Sequence, residues 1–187
     1  MPGRTYPGHM SDLSKLPARK DGATLVVVES PRGSLVKLKY APDLGAFTLS
    51  RPLSLGLTYP FDWGFVPSTH GPDGDPVDAL VVWDVPSFPG VVLACRLIGV
   101  VAVEQKKRDG KGRQRNDRVL AVPEDAPRET PRKAQDLPGR VRDEICQFFI
   151  ASTALEGKEA RILGIEGPEV AEELVRASLK EARGEAA

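Results

Sequence analysis

The sequence predicts one mainly β domain with some helix, a small barrel carrying two helices on its outside. Three observations predict it. The 187 residues suit a single core, since cores usually run to about 100–200 residues before a chain splits. Short runs rich in valine, leucine and isoleucine, bounded by proline, glycine or charged turns, recur from Thr24 onward. The two segments with helical periodicity both follow the main group of strands, and strands followed by late helices fit a barrel with helices packed on it.

Residues 1–22 mix proline, glycine, lysine and serine without periodicity. They read as a mobile arm without a fold, with Met10 as a second candidate start, which leaves 23–187 as the domain. Thr24–Glu29 is β-branched, and Leu35–Tyr40 alternates so that Lys37 and Lys39 share one face while Val36, Leu38 and Tyr40 turn to the core. Further strands are predicted at Ala79–Asp84, Val91–Val103, Arg118–Val122 and Arg161–Ile165. Val141, Ile145, Phe148 and Phe149 recur at helical spacing; in a second helix Pro168 suits the first turn and Ala171, Leu174, Val175 and Ser178 form one face. Between them Gln105–Arg115 is strongly basic, with Asp109 its single acid, and Asp-Gly-Lys-Gly suggests a hairpin tip. It reads as a solvated loop; the other reading is an anion-attracting flap.

Composition narrows the function classes. Lysine plus arginine equal aspartate plus glutamate at 26 each, so net charge points to neither nucleic acid nor membrane, and any electrostatic role is local. Cys95 and Cys146 form no C-x-x-C pair and His9 and His70 are the only histidines, which argues against a zinc site and for reduced, buried thiols. No run approaches the roughly 20 apolar residues of a membrane span and the start lacks an apolar stretch, so the expected location is the cytoplasm.

Chemistry concentrates at Asp73-Gly74-Asp75-Pro76-Val77-Asp78, three carboxylates in six residues just before an apolar strand. Carboxylates that close can converge on hard cations such as magnesium, although Asp, Gly and Pro equally make a plain turn. A calcium loop of the EF-hand type fails, because its sixth position is Asp78 rather than glycine and its twelfth Asp84 rather than glutamate. Nucleophilic catalysis lacks a G-x-S-x-G motif. Phosphate chemistry is the best use of these acids.

Tyr59-Pro60-Phe61-Asp62-Trp63-Gly64-Phe65-Val66-Pro67, followed by Asp73-Gly74-Asp75-Pro76-Val77-Asp78-Ala79-Leu80-Val81, resembles the signature region of the family I soluble inorganic pyrophosphatases. The similarity runs from about Thr24 to about Ala182. It implies an OB-like five-stranded barrel with two outer helices, magnesium-dependent hydrolysis of pyrophosphate to two phosphates with manganese as a substitute ion, and a homo-oligomer. Carried over, Asp73 and Asp78 resemble metal ligands, Glu29 falls at a further acidic site position, and Asp75 resembles the group that orients and deprotonates the attacking water. Lys37, Arg51 and Tyr59 match the phosphate-side catalytic donors, and Arg118 replaces a lysine of the substrate site while keeping its charge.

The chain departs from the family pattern elsewhere. Lys39 stands where the family carries a glutamate, Trp63 where it carries a tyrosine, Gln105 and Asn116 where it carries aspartates, and Ser152 and Thr153 where a Tyr-Lys pair holds phosphate. Glu104 and Asp117 sit one residue away, on the opposite strand face. Two further classes stand beside a weak or atypical hydrolase: a non-catalytic relative that binds a phosphate ligand or protein partner, and a nucleic-acid-binding OB module. The last lacks the aromatic platform such a groove needs.

Overall fold

Valine-rich strands hydrogen-bond into a closed ring in the computed structural model, which describes residues 12–107, 109–126 and 128–184. Met10 and Arg108 lie outside the described residues. The strands are β1 (Arg19–Lys20), β2 (Ala23–Ser30), β3 (Val36–Ala41), β4 (Ala46–Pro52), β5 (Asp62–Phe65), β6 (Asp78–Val81), β7 (Val92–Lys106), β8 (Arg113–Arg115), β9 (Arg118–Pro123) and β10 (Arg161–Glu166). Helix α1 spans Gly139–Thr153 and α2 spans Pro168–Gly184. Pairing runs β2-β5-β6-β9-β7 and returns from β7 to β2, closing a five-stranded ring as the family resemblance implies. Closure removes exposed strand edges. Only β6 and β9 pair in parallel; the other ring pairs are antiparallel.

Alternation along the strands splits the buried residues between two faces. Leu80, Leu120, Val122, Val101 and Val103 join Ile145, Phe148 and Phe149 of α1 in one cluster. Ala79, Val81, Val119, Ala121 and Val100 join Ala171 and Val175 of α2 in the other. Each helix therefore buries its apolar stripe against a different side of the same strands. Ring closure also demands Gly64 on β5: a Cβ there would lie 1.9 Å from the Val27 carbonyl oxygen of β2. Only glycine admits that approach.

Several boundaries differ from expectation. The stretch from Asp12 to Gly22, placed in the arm, is structured: Ala18 is buried and Arg19–Lys20 pair with β2. Val36 and Leu38 are half-buried rather than in the core, because β3 pairs only with β4 in a ribbon separate from the ring; Tyr40 alone is buried there. The strand expected at Ala79–Asp84 is β6, which ends at Val81. The basic segment is not a solvated loop throughout, since β7 continues to Lys106 and pairs with β8, and Gln105 is only 4% exposed. Among the described residues no helix is long and apolar enough to cross a membrane.

Candidate active site

A cavity of about 930 Å³ opens between the β3–β4 ribbon, the acidic turn, the β7–β8 hairpin and the end of α1. Glu29, Lys37, Arg51, Tyr59, Asp73, Asp75, Asp78 and Arg118 all line it, so every candidate residue faces one space. The ribbon supplies the cations. Lys37 stands directly opposite Arg51 across β3 and β4, and Lys37 and Lys39 both reach the cavity as alternate residues of one strand face. Arg51 is oriented from the end of α1 and the turn after it, donating to the Ser152 carbonyl at 2.7 Å and pairing with Glu156.

The acids come from two places. Gly74, at φ +86, makes the reversal between Asp73 and Asp75, a conformation side chains resist. The Gly71 N–H donates to the Asp75 carbonyl at 2.8 Å, and the Asp75 N–H to Asp73 Oδ1 at 3.3 Å. Asp78 then begins β6. From the other side Glu29, at the end of β2, accepts the Tyr40 N–H at 2.8 Å.

Burial sets the electrostatics. It pushes the Glu29 carboxyl up to about 7, against the hydrogen bond from Tyr40 and with help from the Asp78 charge. Burial also raises Asp78; Lys37 and Arg118 oppose that rise, and the charges of Asp73 and Asp75 add to it. Tyr59, 3% exposed, is pushed up by burial, so its hydroxyl stays a donor at neutral pH. The guanidinium of Arg118 is pulled down by burial and held up by Asp78.

The departures from the family pattern meet the acids in space. Lys39 Nζ donates to Asp75 Oδ1 at 2.8 Å, and Asn116 Nδ2 donates to Asp73 Oδ2 at 2.9 Å. Glu104 and Asp117 do not replace the missing carboxylates: Glu104 binds Arg113 at 2.5 Å, and Asp117 binds Arg115 at 2.8 Å and the Val103 N–H at 2.9 Å. Sequence reasoning missed Glu156, which pairs with both Arg51 and Lys158 at the cavity wall. No local pattern marks it, because its partner Arg51 lies on another element far along the chain.

These residues fit a hard divalent cation, though not a closed cage. Asp73 and Asp78 offer carboxylate oxygens in a cluster whose mutual repulsion a cation relieves. Among the described residues no three acidic, histidine or cysteine side chains are grouped closely enough to hold a metal ion. Magnesium suits such an open arrangement, because it keeps several waters and is commonly held by one or two carboxylates plus substrate phosphate.

Comparison with known proteins gives one consistent answer. A family profile described as inorganic pyrophosphatase matches residues 26–183. The chain is 41% identical over 155 residues to an inorganic pyrophosphatase of Synechocystis, covering 82% of this chain and 88% of that one. Its fold is similar to the crystal structure of the Thermus thermophilus inorganic pyrophosphatase, with a TM-score of 0.85, 35% identity and 92% and 99% of the two chains covered. The Helicobacter pylori inorganic pyrophosphatase superposes with a TM-score of 0.79 at 32% identity, covering 86% and 94%.

Proposed function

The chain belongs to the inorganic pyrophosphatase family, and from that premise we propose that it hydrolyses inorganic pyrophosphate to two phosphates in the cavity described above, with magnesium bound at Asp73 and Asp78 and Glu29 beside them. What supports the reading most is one observation: the acidic turn and the four donors Lys37, Arg51, Tyr59 and Arg118 line the same cavity. Phosphoryl transfer needs this opposition, because its transition state carries negative charge on several oxygens at once.

When bound, magnesium supplies charge neutralisation of phosphoryl oxygens and acidification of water. The protein does the rest. Lys37, Arg51 and Arg118 hold phosphoryl oxygens through charge-assisted hydrogen bonds, and Arg51 is kept in place by Ser152 and Glu156. Tyr59 donates its hydroxyl to another oxygen. Asp75 accepts a proton from water as the water oxygen bonds to one phosphorus; the bond to the bridging oxygen breaks, and that oxygen leaves on the second phosphate. Lys39, in contact with Asp75, fixes the carboxylate and adds positive charge beside the reacting phosphoryl group.

Family membership also supports a homo-oligomer acting in the cytoplasm. Phosphate release from pyrophosphate, tripolyphosphate and nucleoside triphosphates, at varied magnesium and manganese, tests the reading. Metal-dependent release with preference for pyrophosphate is the expected result. Binding of pyrophosphate without release under any metal would favour a non-catalytic phosphate-binding relative instead.

A further inference from the structure

We infer that residues 12–16 form a strap tying the cation-bearing ribbon to the loop that carries the acidic turn, with Tyr40 and Ser68 as the positioning residues at its two ends. The inference deepens the hydrolase reading and rests on it. The strap lies ahead of the stretch that the family profile matches, which begins at Val26. A short 3₁₀ turn, Leu13–Lys15, gives it its shape. Asp12 caps the turn, accepting the Ser14 N–H at 3.0 Å and the Ser14 hydroxyl at 2.6 Å, and the Leu16 N–H closes it on the Leu13 carbonyl at 3.4 Å. A capped turn holds its own geometry, so the contacts it makes on either side stand at a set spacing.

One end meets the ribbon. The Leu13 N–H donates to the Tyr40 hydroxyl at 3.2 Å, and Leu13 and Leu16 pack on the cluster of Val27, Tyr40 and Phe65. Tyr40 gives its own N–H to Glu29 and follows Lys39, whose ammonium contacts Asp75. Because β3 pairs only with β4 and stands apart from the ring, contacts of this kind set its place over the cavity. The other end meets the acidic loop. The Ser68 N–H donates to the Ser14 carbonyl at 2.9 Å, and the Ser68 hydroxyl to the Leu16 carbonyl at 2.8 Å. Ser68 has φ +54, a left-handed conformation that costs energy for any residue but glycine, and its two bonds to the strap hold it there. Next to it Thr69 closes the base of the loop, donating to the Val66 carbonyl at 2.6 Å and accepting the Val77 N–H at 2.9 Å. A displacement of Ser68 therefore reaches Asp73 and Asp75 through a short closed loop. Ser14 and Tyr40 both line the cavity, so the strap runs along its edge between the two groups of charges.

Binding of the anion draws on the cations alone, whereas hydrolysis needs those cations and Asp75 aligned across the cavity, where a small misplacement is costly. Cutting the strap is therefore expected to lower kcat and spare affinity. Tyr40→Phe removes the hydroxyl at one end and keeps the ring; Ser68→Gly removes the hydroxyl at the other and accepts the positive φ. Each should lower kcat for pyrophosphate about tenfold at saturating magnesium, while calorimetry finds metal-free affinity for the non-hydrolysable methylenediphosphonate within about twofold of wild type. A strap acts only while both ends are tied, so the double variant should also lose about tenfold rather than about a hundredfold. An unchanged kcat in either single variant, or losses that multiply in the double, would overturn the strap. Hydrogen exchange, followed by mass spectrometry on the wild-type protein, tests the same link without substitution. Magnesium with methylenediphosphonate, which joins the two groups of charges, is expected to slow exchange in residues 12–16 and 66–70 together; no slowing in either stretch would overturn the strap. Should the strap fail these tests while wild type releases phosphate from pyrophosphate, the hydrolase reading stands alone. Slowed exchange in both stretches of a protein that releases no phosphate has the opposite meaning: the strap stands and the hydrolase reading fails.

Discussion

Glu29 shows at the scale of one residue how burial changes a group that sequence can only locate. Its carboxyl, pushed up to about 7 from an ordinary 4.5, holds more protons in the native than in the unfolded chain between those values. Stability contributed there is complete below about pH 4.5 and is lost as pH rises through about 7. In chelator-treated protein, Glu29→Gln, whose amide oxygen can still accept the Tyr40 N–H, should remove this loss. Urea unfolding should find the variant gaining about 2–3 kcal/mol on wild type between pH 5 and pH 8; parallel pH profiles would contradict it. Arg51→Ala removes a charged donor that faces the cavity from β4, and calorimetry should show pyrophosphate binding weakened by about 1.5–3 kcal/mol. The acidic turn was legible from the types and spacing of its residues, and Glu29 and Arg51 only through the family resemblance. Glu156, the partner that holds Arg51, was not, because the two residues lie on different elements and meet only in the packed fold.

Elements were legible where periodicity was strong. Valine-rich β2, β7 and β9 and the apolar stripes of α1 and α2 follow from alternation and from i, i+4 spacing. The exposure of β4 alternates poorly, since it pairs only with β3 and buries little. That is why no strand was expected there. Likewise β5 sits inside the Tyr59–Pro67 motif and is too short, at four residues, to show a period. Its Gly64 nonetheless fixes ring closure against β2. Gly64→Ala forces a Cβ onto the Val27 carbonyl and should cost about 3 kcal/mol or more. Denaturant unfolding checks this; an unchanged midpoint would mean that the two strands separate without penalty.

Over the whole molecule, the ring, the ribbon and α1 bring distant residues into one cavity, and three of the substituted positions, Lys39, Gln105 and Asn116, lie where the acids gather. Lys39 and Asn116 occupy oxygens of Asp75 and Asp73, and Gln105 adds a neutral buried amide. The combined variant Lys39→Glu, Gln105→Asp, Asn116→Asp should therefore bind at least one more magnesium per chain by titration calorimetry; an unchanged stoichiometry would show that these side chains do not limit metal loading. Sequence could name the substituted positions but not which acid each one meets, since those contacts span different elements. The central claim is that pyrophosphate is hydrolysed in this cavity with Asp75 accepting the proton. Its most direct test compares initial rates of phosphate release by wild type and Asp75→Asn at saturating magnesium and pyrophosphate. Magnesium-dependent release by wild type, lowered about 100-fold or more in the variant as expected for loss of a general base, is the predicted result; no release by wild type, or equal rates for the two proteins, would contradict it.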